Sequence, residues 1–293
     1  MFAKFHFGGL MKRKNILTFL ALILAGTLSL GAEDISSSAK KTTFEINLSL
    51  GWTIGAYKET TFSNITQSIV SPHYGLEAKI KSGNFLHTIT ADYFFTKPSS
   101  AMTETAVVYK NYDPVSGETY YEASSSPLSF HKISLKYDLN YTIIKNGNLD
   151  FSVGGNFMCK AFLQFEHYPS ITGILCIGPT CAMSYKINDR NSIFVSGGFP
   201  LLGYGVRPPY AGCDAELMKY AEEDFLKILT LGNFLSVHNY QSLLLSCDYK
   251  LKATNWLSTG LGLDFEYARI AVPKDRPLYY VDGNLRTFIS FNF

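Results

Sequence analysis

Residues 285–293 read Leu-Arg-Thr-Phe-Ile-Ser-Phe-Asn-Phe. Leu285, Thr287, Ile289, Phe291 and Phe293 share one parity, and Arg286, Phe288, Ser290 and Asn292 share the other. Successive side chains of a strand point to opposite faces, so this stretch is a strand with one apolar face. A half-buried strand in a soluble sheet has the same look. The fold is therefore decided by whether the rest of the chain repeats the pattern.

The pattern recurs throughout. Phe44, Ile46, Leu48, Leu50, Trp52 and Ile54 alternate with Glu45, Asn47, Ser49, Gly51 and Thr53. Tyr74, Leu76, Ala78 and Ile80 stand against Glu77, Lys79 and Lys81; Phe85, Ile89, Ala91, Tyr93 and Phe95 stand against Thr88, Thr90 and Asp92. The fourth strand is the clearest, with Ile133, Leu135, Tyr137, Leu139 and Tyr141 against Lys132, Ser134, Lys136, Asp138 and Asn140. Further strands are expected near 149–160, 175–187, 193–201, 243–251 and 257–267, with Pro179 interrupting the sixth. Their lengths suit tilted strands crossing a bilayer, which need about 9–11 residues. Connections near 83, 146, 190 and 254 are short, and those near 63, 112, 167, 221 and 275 are longer. Short turns at one end and long loops at the other give an all-β, antiparallel up-and-down transmembrane barrel of about ten strands, with eight or twelve as alternatives. A secreted β-sandwich would have shorter strands and no such alternation of loops.

The start of the chain says where it is sent. Lys12, Arg13 and Lys14 precede the apolar run Ile16 to Leu30, which exits through Gly31 and Ala32. This is the layout of a secretory signal peptide, and the run is too short to span a bilayer as a helix. Residues 1–32 are expected to be removed, 33–42 to form a short N-terminal segment, and 43–293 to form the barrel. An even strand number places both barrel ends on the periplasmic side. Only 17% of residues are charged, 15% are aromatic, and the net charge is +2. That balance suits a surface facing something other than water and argues against nucleic acid as a partner. The five cysteines (159, 176, 181, 213 and 247) have no paired spacing of a disulfide or zinc framework.

The closing strand, ending on the aromatic Phe293, resembles the last strand of bacterial outer-membrane β-barrel proteins, which the barrel-assembly machinery reads. The Arg207-Pro208-Pro209-Tyr210 piece resembles loops of uncharacterised members from diderm bacteria. The resemblance implies an outer-membrane location. It also implies outer-membrane lipids, lipopolysaccharide, the barrel-assembly machinery and an unidentified extracellular ligand as partners.

Inward parities carry eight acids, Glu45, Glu77, Asp92, Asp138, Asp150, Asp248, Asp264 and Glu266. They also carry eight bases, Lys79, Lys81, Lys132, Lys136, Lys160, Lys186, Lys250 and Arg286. Buried charges must pair, so equal numbers point to a narrow lumen filled by ion pairs. Phe94, Phe130, Phe194 and Phe288 are available to fill the remainder.

In overall shape the chain is similar to the ten-stranded omptin proteases, and more distantly to lipid A deacylases and outer-membrane phospholipases. Asp264 and Glu266 with His238 form an acid pair and a histidine that would activate water. Two further carboxylates at a matching strand end are not evident. Catalytic, cofactor-binding and metal residues are therefore assigned to none, and no cofactor is expected. The 203–239 insert reads as an extracellular loop with a helix from Asp214 to about Leu231, stopped by Gly232, with Leu217, Ala221, Phe225 and Ile228 as its apolar stripe. The first functional expectation is a non-enzymatic role in surface binding, adhesion or envelope structure. A narrow pore for small solutes comes second, and a surface hydrolase third.

Overall fold

The computed structural model describes residues 42–60, 66–97, 99–100, 107–112, 119–124, 129–165, 170–207, 230–272 and 276–293. The signal-peptide expectation lies outside these residues, as does most of the helix expected between Asp214 and Leu231.

In chain order the strands are β1 (Thr43–Glu59), β2 (Gln67–Ser82), β3 (Phe85–Thr96), β4 (Ser99–Ser100), β5 (Val107–Tyr112), β6 (Thr119–Ser124), β7 (Ser129–Asn146), β8 (Leu149–Phe165), β9 (Ser170–Lys186), β10 (Asn191–Gly198), β11 (Leu202–Val206), β12 (Asn233–Ser236), β13 (Tyr240–Lys252), β14 (Leu257–Ile270) and β15 (Leu278–Asn292). The order β10-β13-β14-β15-β1-β2-β3-β7-β8-β9 closes on itself, because β10 also pairs with β9. With β10 and β11 as two halves of one stave, this is the expected closed antiparallel barrel of ten staves. Closure is made by β1 against β15, from Glu45 opposite Asn292 to Glu59 opposite Leu278.

The short turns form for local reasons. Gly83 and Gly147 sit at φ 60° and 53°, where a side chain would be strained. The Asn188 side chain accepts hydrogen bonds from the backbone of Arg190 and Asn191, at 2.9 and 2.8 Å. Thr254 Oγ1 accepts one from Leu257 at 3.0 Å.

The outward parity is as read. Leu48, Trp52, Leu263 and Leu285 are 52–58% exposed, a dry belt that suits lipid. His87 and His131 also face outward, each bonded to a neighbouring tyrosine hydroxyl, Tyr137 at 2.9 Å and Tyr93 at 3.0 Å.

Three expectations need correction. Pro179 does not interrupt its strand, since β9 runs through it. The break falls on the facing stave between β10 and β11, where Gly178 admits the backbone of Phe199 and Pro200 at close range. Phe199 N and Leu201 N still donate to the carbonyls of Pro179 and Ile177, so the wall stays closed. The connection near 112, expected as a long loop, carries strands of its own: β5 and β6 pair as a separate two-stranded sheet, with Tyr109 opposite Glu122 and Tyr112 opposite Thr119. The 203–239 insert is shorter than read, because Leu202–Val206 and Asn233–Ser236 are paired strands.

Candidate functional site: a stratified lumen

The inside of the barrel is layered. At the short-turn rim Lys250 pairs with Glu45 at 2.6 Å and Lys81 with Asp150 at 2.9 Å. Lys186, counted as inward by parity, is exposed at this rim. Above it Arg286 joins β13 and β14 by donating to Asp248 and Asp264, each at 2.7 Å. Lys79 lies 2.8 Å from Glu77 and 4.5 Å from the centre of the Phe194 ring. Gly262 leaves the space that the Arg286 guanidinium occupies.

Higher still, a four-charge group crosses the bore. Lys132 Nζ donates to Glu266 at 2.8 Å, to Asp282 at 2.9 Å and to the Tyr280 hydroxyl at 3.0 Å. Lys160 donates to the other oxygen of Glu266, and Tyr280 donates to Asp282. All four ionic side chains are at most 9% exposed. Buried charges of this kind are tolerable because each finds an opposite partner.

Over this group lies an apolar layer. Tyr57, Phe94, Phe130, Phe162 and Tyr280, each from a different strand, are at most 3% exposed, and Ile69, Met158, Ile174, Tyr240, Ile270 and Leu278 join them. Tyr57 and Phe130 have ring centres 4.7 Å apart, and Phe162 and Tyr280 5.1 Å. A ring lining a water-filled bore would be wet, and these rings are dry. Rings of this size bury about 1.5–3 kcal/mol each, so the layer is a small hydrophobic core inside the barrel. At the long-loop end Arg207, just past β11, donates to both carboxylate oxygens of Glu59 on β1. It also donates to the carbonyls of Ile270 at 3.4 Å and Val272 at 2.8 Å.

Between the ion pairs and the apolar layer is a cavity of about 100 Å³, bordered by Asp92, Lys136, Asp138, Asn140, Asn156 and Arg286 among others.

The eight expected acids all lie in pairs: Asp138 with Lys136 at 3.0 Å, Asp92 with His73 at 3.3 Å, and the remainder with the partners described above. The proposed water-activating trio is not assembled. Asp264 and Glu266 are committed to Arg286 and to two lysines, and His238 is exposed in the turn before β13. Phe94, Phe130 and Phe288 are buried as fillers. Glu59, His73, Arg207, Asp282 and Tyr280 escaped the sequence reading. Of the cysteines, Cys159, Cys181 and Cys247 lie on the outward parity, while Cys176 is buried within 3.8 Å of the Tyr240 hydroxyl. Cys213 lies outside the described residues.

No protein-family model matches the chain, and no curated protein matches its sequence. Solved structures match in fold. The outer membrane protease OmpT of Escherichia coli aligns with a TM-score of 0.54 at 6% identity, over 89% of this chain and 99% of that one. Neisserial surface protein A aligns at 0.34 and 8%, over 85% and 97%, and the TodX monoaromatic hydrocarbon channel at 0.34 and 9%, over 87% and 91%. The fold is that of the bacterial outer-membrane β-barrels. At 6% identity the likeness to the protease carries the architecture and none of its chemistry.

Proposed function

We propose that the chain is a bacterial outer-membrane barrel whose work is done at the long-loop end, in surface binding, adhesion or envelope structure. One observation carries this reading: the apolar layer inside the bore. It makes the barrel a plugged scaffold instead of a conduit, which leaves the long connections as the working surface. The dry outward belt supports a membrane location, with lipids and lipopolysaccharide against it and the barrel-assembly machinery acting on the β1–β15 seam. The surface ligand is proposed to meet the loops, not the lumen.

The test has two arms. Purified full-length barrel in a planar bilayer is expected to pass little current. Cells displaying it are expected to attach to one of three coatings (fibronectin, collagen or heparan sulfate) more than cells displaying a barrel trimmed of residues 101–128. Large, stable, ion-selective steps from the wild type would replace this reading with a pore. Equal attachment of both strains to all three coatings would remove the adhesive role.

A further inference from the structure

The outer wall of the barrel carries charge at one place. Among the described residues of the barrel strands, the outward parity holds no aspartate or glutamate, and away from the short-turn rim its cations are Lys58 and Arg269. The register brings these two together. Tyr279 on β15 lies opposite Lys58 on β1 and opposite Arg269 on β14, so the three share one row on the outside of three adjacent staves. The Arg269 guanidinium carbon is 5.9 Å from the centre of the Tyr279 ring. Neither cation has an ion-pair partner among the described residues. The acids of these strand ends, Glu59, Glu266 and Asp282, point inward, where Arg207, Lys132 and Lys160 hold them. Arg276, exposed just before β15, adds to the positive charge at this end.

This row is the last outward one before the connections, since β1 ends at Glu59, β14 ends at Ile270 and β15 begins at Leu278. Toward the short turns the same strands present Ile54, Leu263, Phe265 and Leu285, 40–66% exposed. A tyrosine between two cations at the edge of an apolar belt stands at headgroup height. Below the row the wall is hollowed. Val281 lies between Ala56 and Tyr267, and Gly283 lies between Ile54 and Phe265. A side chain at Gly283 would meet nothing nearer than 3.8 Å, so the neighbouring backbone does not demand glycine there. Ala56, Val281 and Gly283 thus floor a shallow furrow that leads from the cations into the belt. From the charged row and the furrow together we infer that this face binds the phosphate monoester of an acylated outer-leaflet lipid, a site that rests on the membrane placement proposed above. Such a phosphate carries a charge of about −1.5 to −2, which two cations with no outward carboxylate beside them match. Arg269 donates a pair of hydrogen bonds to its oxygens, Lys58 neutralises it from the other side, and the Tyr279 hydroxyl donates between them. The backbones of β1 and β14 are about 10 Å apart, a spacing that two long side chains close around one phosphate. An acyl chain of the same lipid occupies the furrow.

Purified full-length barrel in a neutral detergent can be titrated with lipid A bearing both phosphates and with lipid A stripped of them, the bound lipid being read by native mass spectrometry. The phosphorylated form is expected to bind about tenfold more tightly than the stripped one. Lys58→Gln with Arg269→Gln should abolish that preference. Gly283→Leu, which fills the furrow, should weaken both forms, and Lys145→Gln at the opposite rim should change neither. Millimolar inorganic phosphate should fail to displace the lipid. If the double charge variant lacks the heat-modifiable mobility of an assembled barrel, Arg269→Gln alone takes its place and should lose about half of the preference on a logarithmic scale. Equal binding of the two lipids, unchanged binding in the charge or furrow variants, or displacement by inorganic phosphate would each overturn the site and leave the membrane placement standing. A wild type that fails to insert into phosphatidylcholine vesicles containing lipid A would instead overturn the placement on which the site rests.

Discussion

Phe44 and Phe293 close the barrel on each other. Phe293 N donates to the Phe44 carbonyl at 2.8 Å, Phe44 N donates to the Phe293 carbonyl at 3.2 Å, and the rings meet with centres 5.9 Å apart. The last residue of the chain is thus the final rung of the seam. Deleting Phe293 removes both bonds and the ring contact, each worth about 0.5–1.5 kcal/mol. Phe291→Asp places a charge among outward residues at the same end. Both variants are expected to lose the heat-modifiable, assembled form in cell envelopes. Normal assembly of both would show that the seam forms without its last rung.

Leu135 and Ser134 are neighbours on β7 that face opposite ways, and Ser134 is buried at 7% exposure. Arginine at Leu135, on the lipid side, is expected to cost roughly 2–4 kcal/mol in unfolding from lipid vesicles. A wide lumen would accept arginine at Ser134 without loss. The filled lumen makes that substitution an overpacking, expected to cost about 1–3 kcal/mol, while Ser134→Ala stays within about 1 kcal/mol. A Ser134→Arg barrel as stable as wild type would mean that the lumen is open.

How much of this was legible in the sequence depends on which part of each strand is read. Along Leu48 to Ile54 the outward residues are apolar and the inward ones polar or small, and that half was plain. Toward the long-loop end the sense inverts. Tyr57 lies inside while Lys58 lies outside; Ile69, Phe162, Ala268, Ile270, Leu278 and Tyr280 lie inside, and Arg269 lies on the outer parity over the Tyr279 ring. There the barrel has an apolar interior and a mixed exterior, in which Lys58 and Arg269 stand beside exposed Val70 and Tyr279, so an unbroken outer stripe of one sign does not exist. Strand ends therefore read as loops, and Glu59 and Asp282 were lost with them. Asp282 was recoverable, since Tyr280, Asp282 and Asn284 continue the inward parity of Arg286 and Ser290. The match of Arg207 to Glu59 was not, because nothing in the sequence relates residues from staves so far apart around the barrel. The cavity was invisible for the same reason: its wall depends on the register of four strands.

Glu266 is held by Lys132 and Lys160, and Asp282 by Lys132 and Tyr280. Glu266→Gln leaves two buried ammonium groups sharing one carboxylate. It is expected to cost about 3–5 kcal/mol in unfolding free energy. Adding Lys160→Met removes the surplus charge and leaves Lys132–Asp282 intact, so the double variant should regain at least half of the loss. Chemical unfolding of the two singles and the double gives the coupling directly. Additive losses would show that Lys160 and Glu266 do not act as a pair.

The last prediction concerns the segment that follows Arg207. This residue ends the described part of the stave, and its guanidinium is spent on Glu59 and on the carbonyls of Ile270 and Val272. It therefore ties the start of the 208–229 segment to β1 and to the end of β14. At the other end of that segment, Gly232 packs directly on the Tyr204 ring, where any side chain would collide. Both roots of the segment are thus held against the barrel. The helix expected from the sequence over this segment lies outside the described residues; if it forms, its Leu217, Phe225 and Ile228 stripe needs cover, because an isolated helix of that length is marginal. Replacing Arg207 alone leaves Glu59 buried and unpaired, so the informative variant is Arg207→Met with Glu59→Gln, which removes both charges together. Protease added to whole cells is expected to cut this double variant within 208–229 about tenfold faster than wild type, with the barrel still assembled. Arg207→Lys should fall between the two, since an ammonium cannot reproduce the two-pronged contact. Replacing Leu217, Phe225 and Ile228 by Ser should give the same cleavage from the other side. If all of these are cut at the wild-type rate, the clamp does not restrain the segment, and a partner protein becomes the better account of its apolar residues.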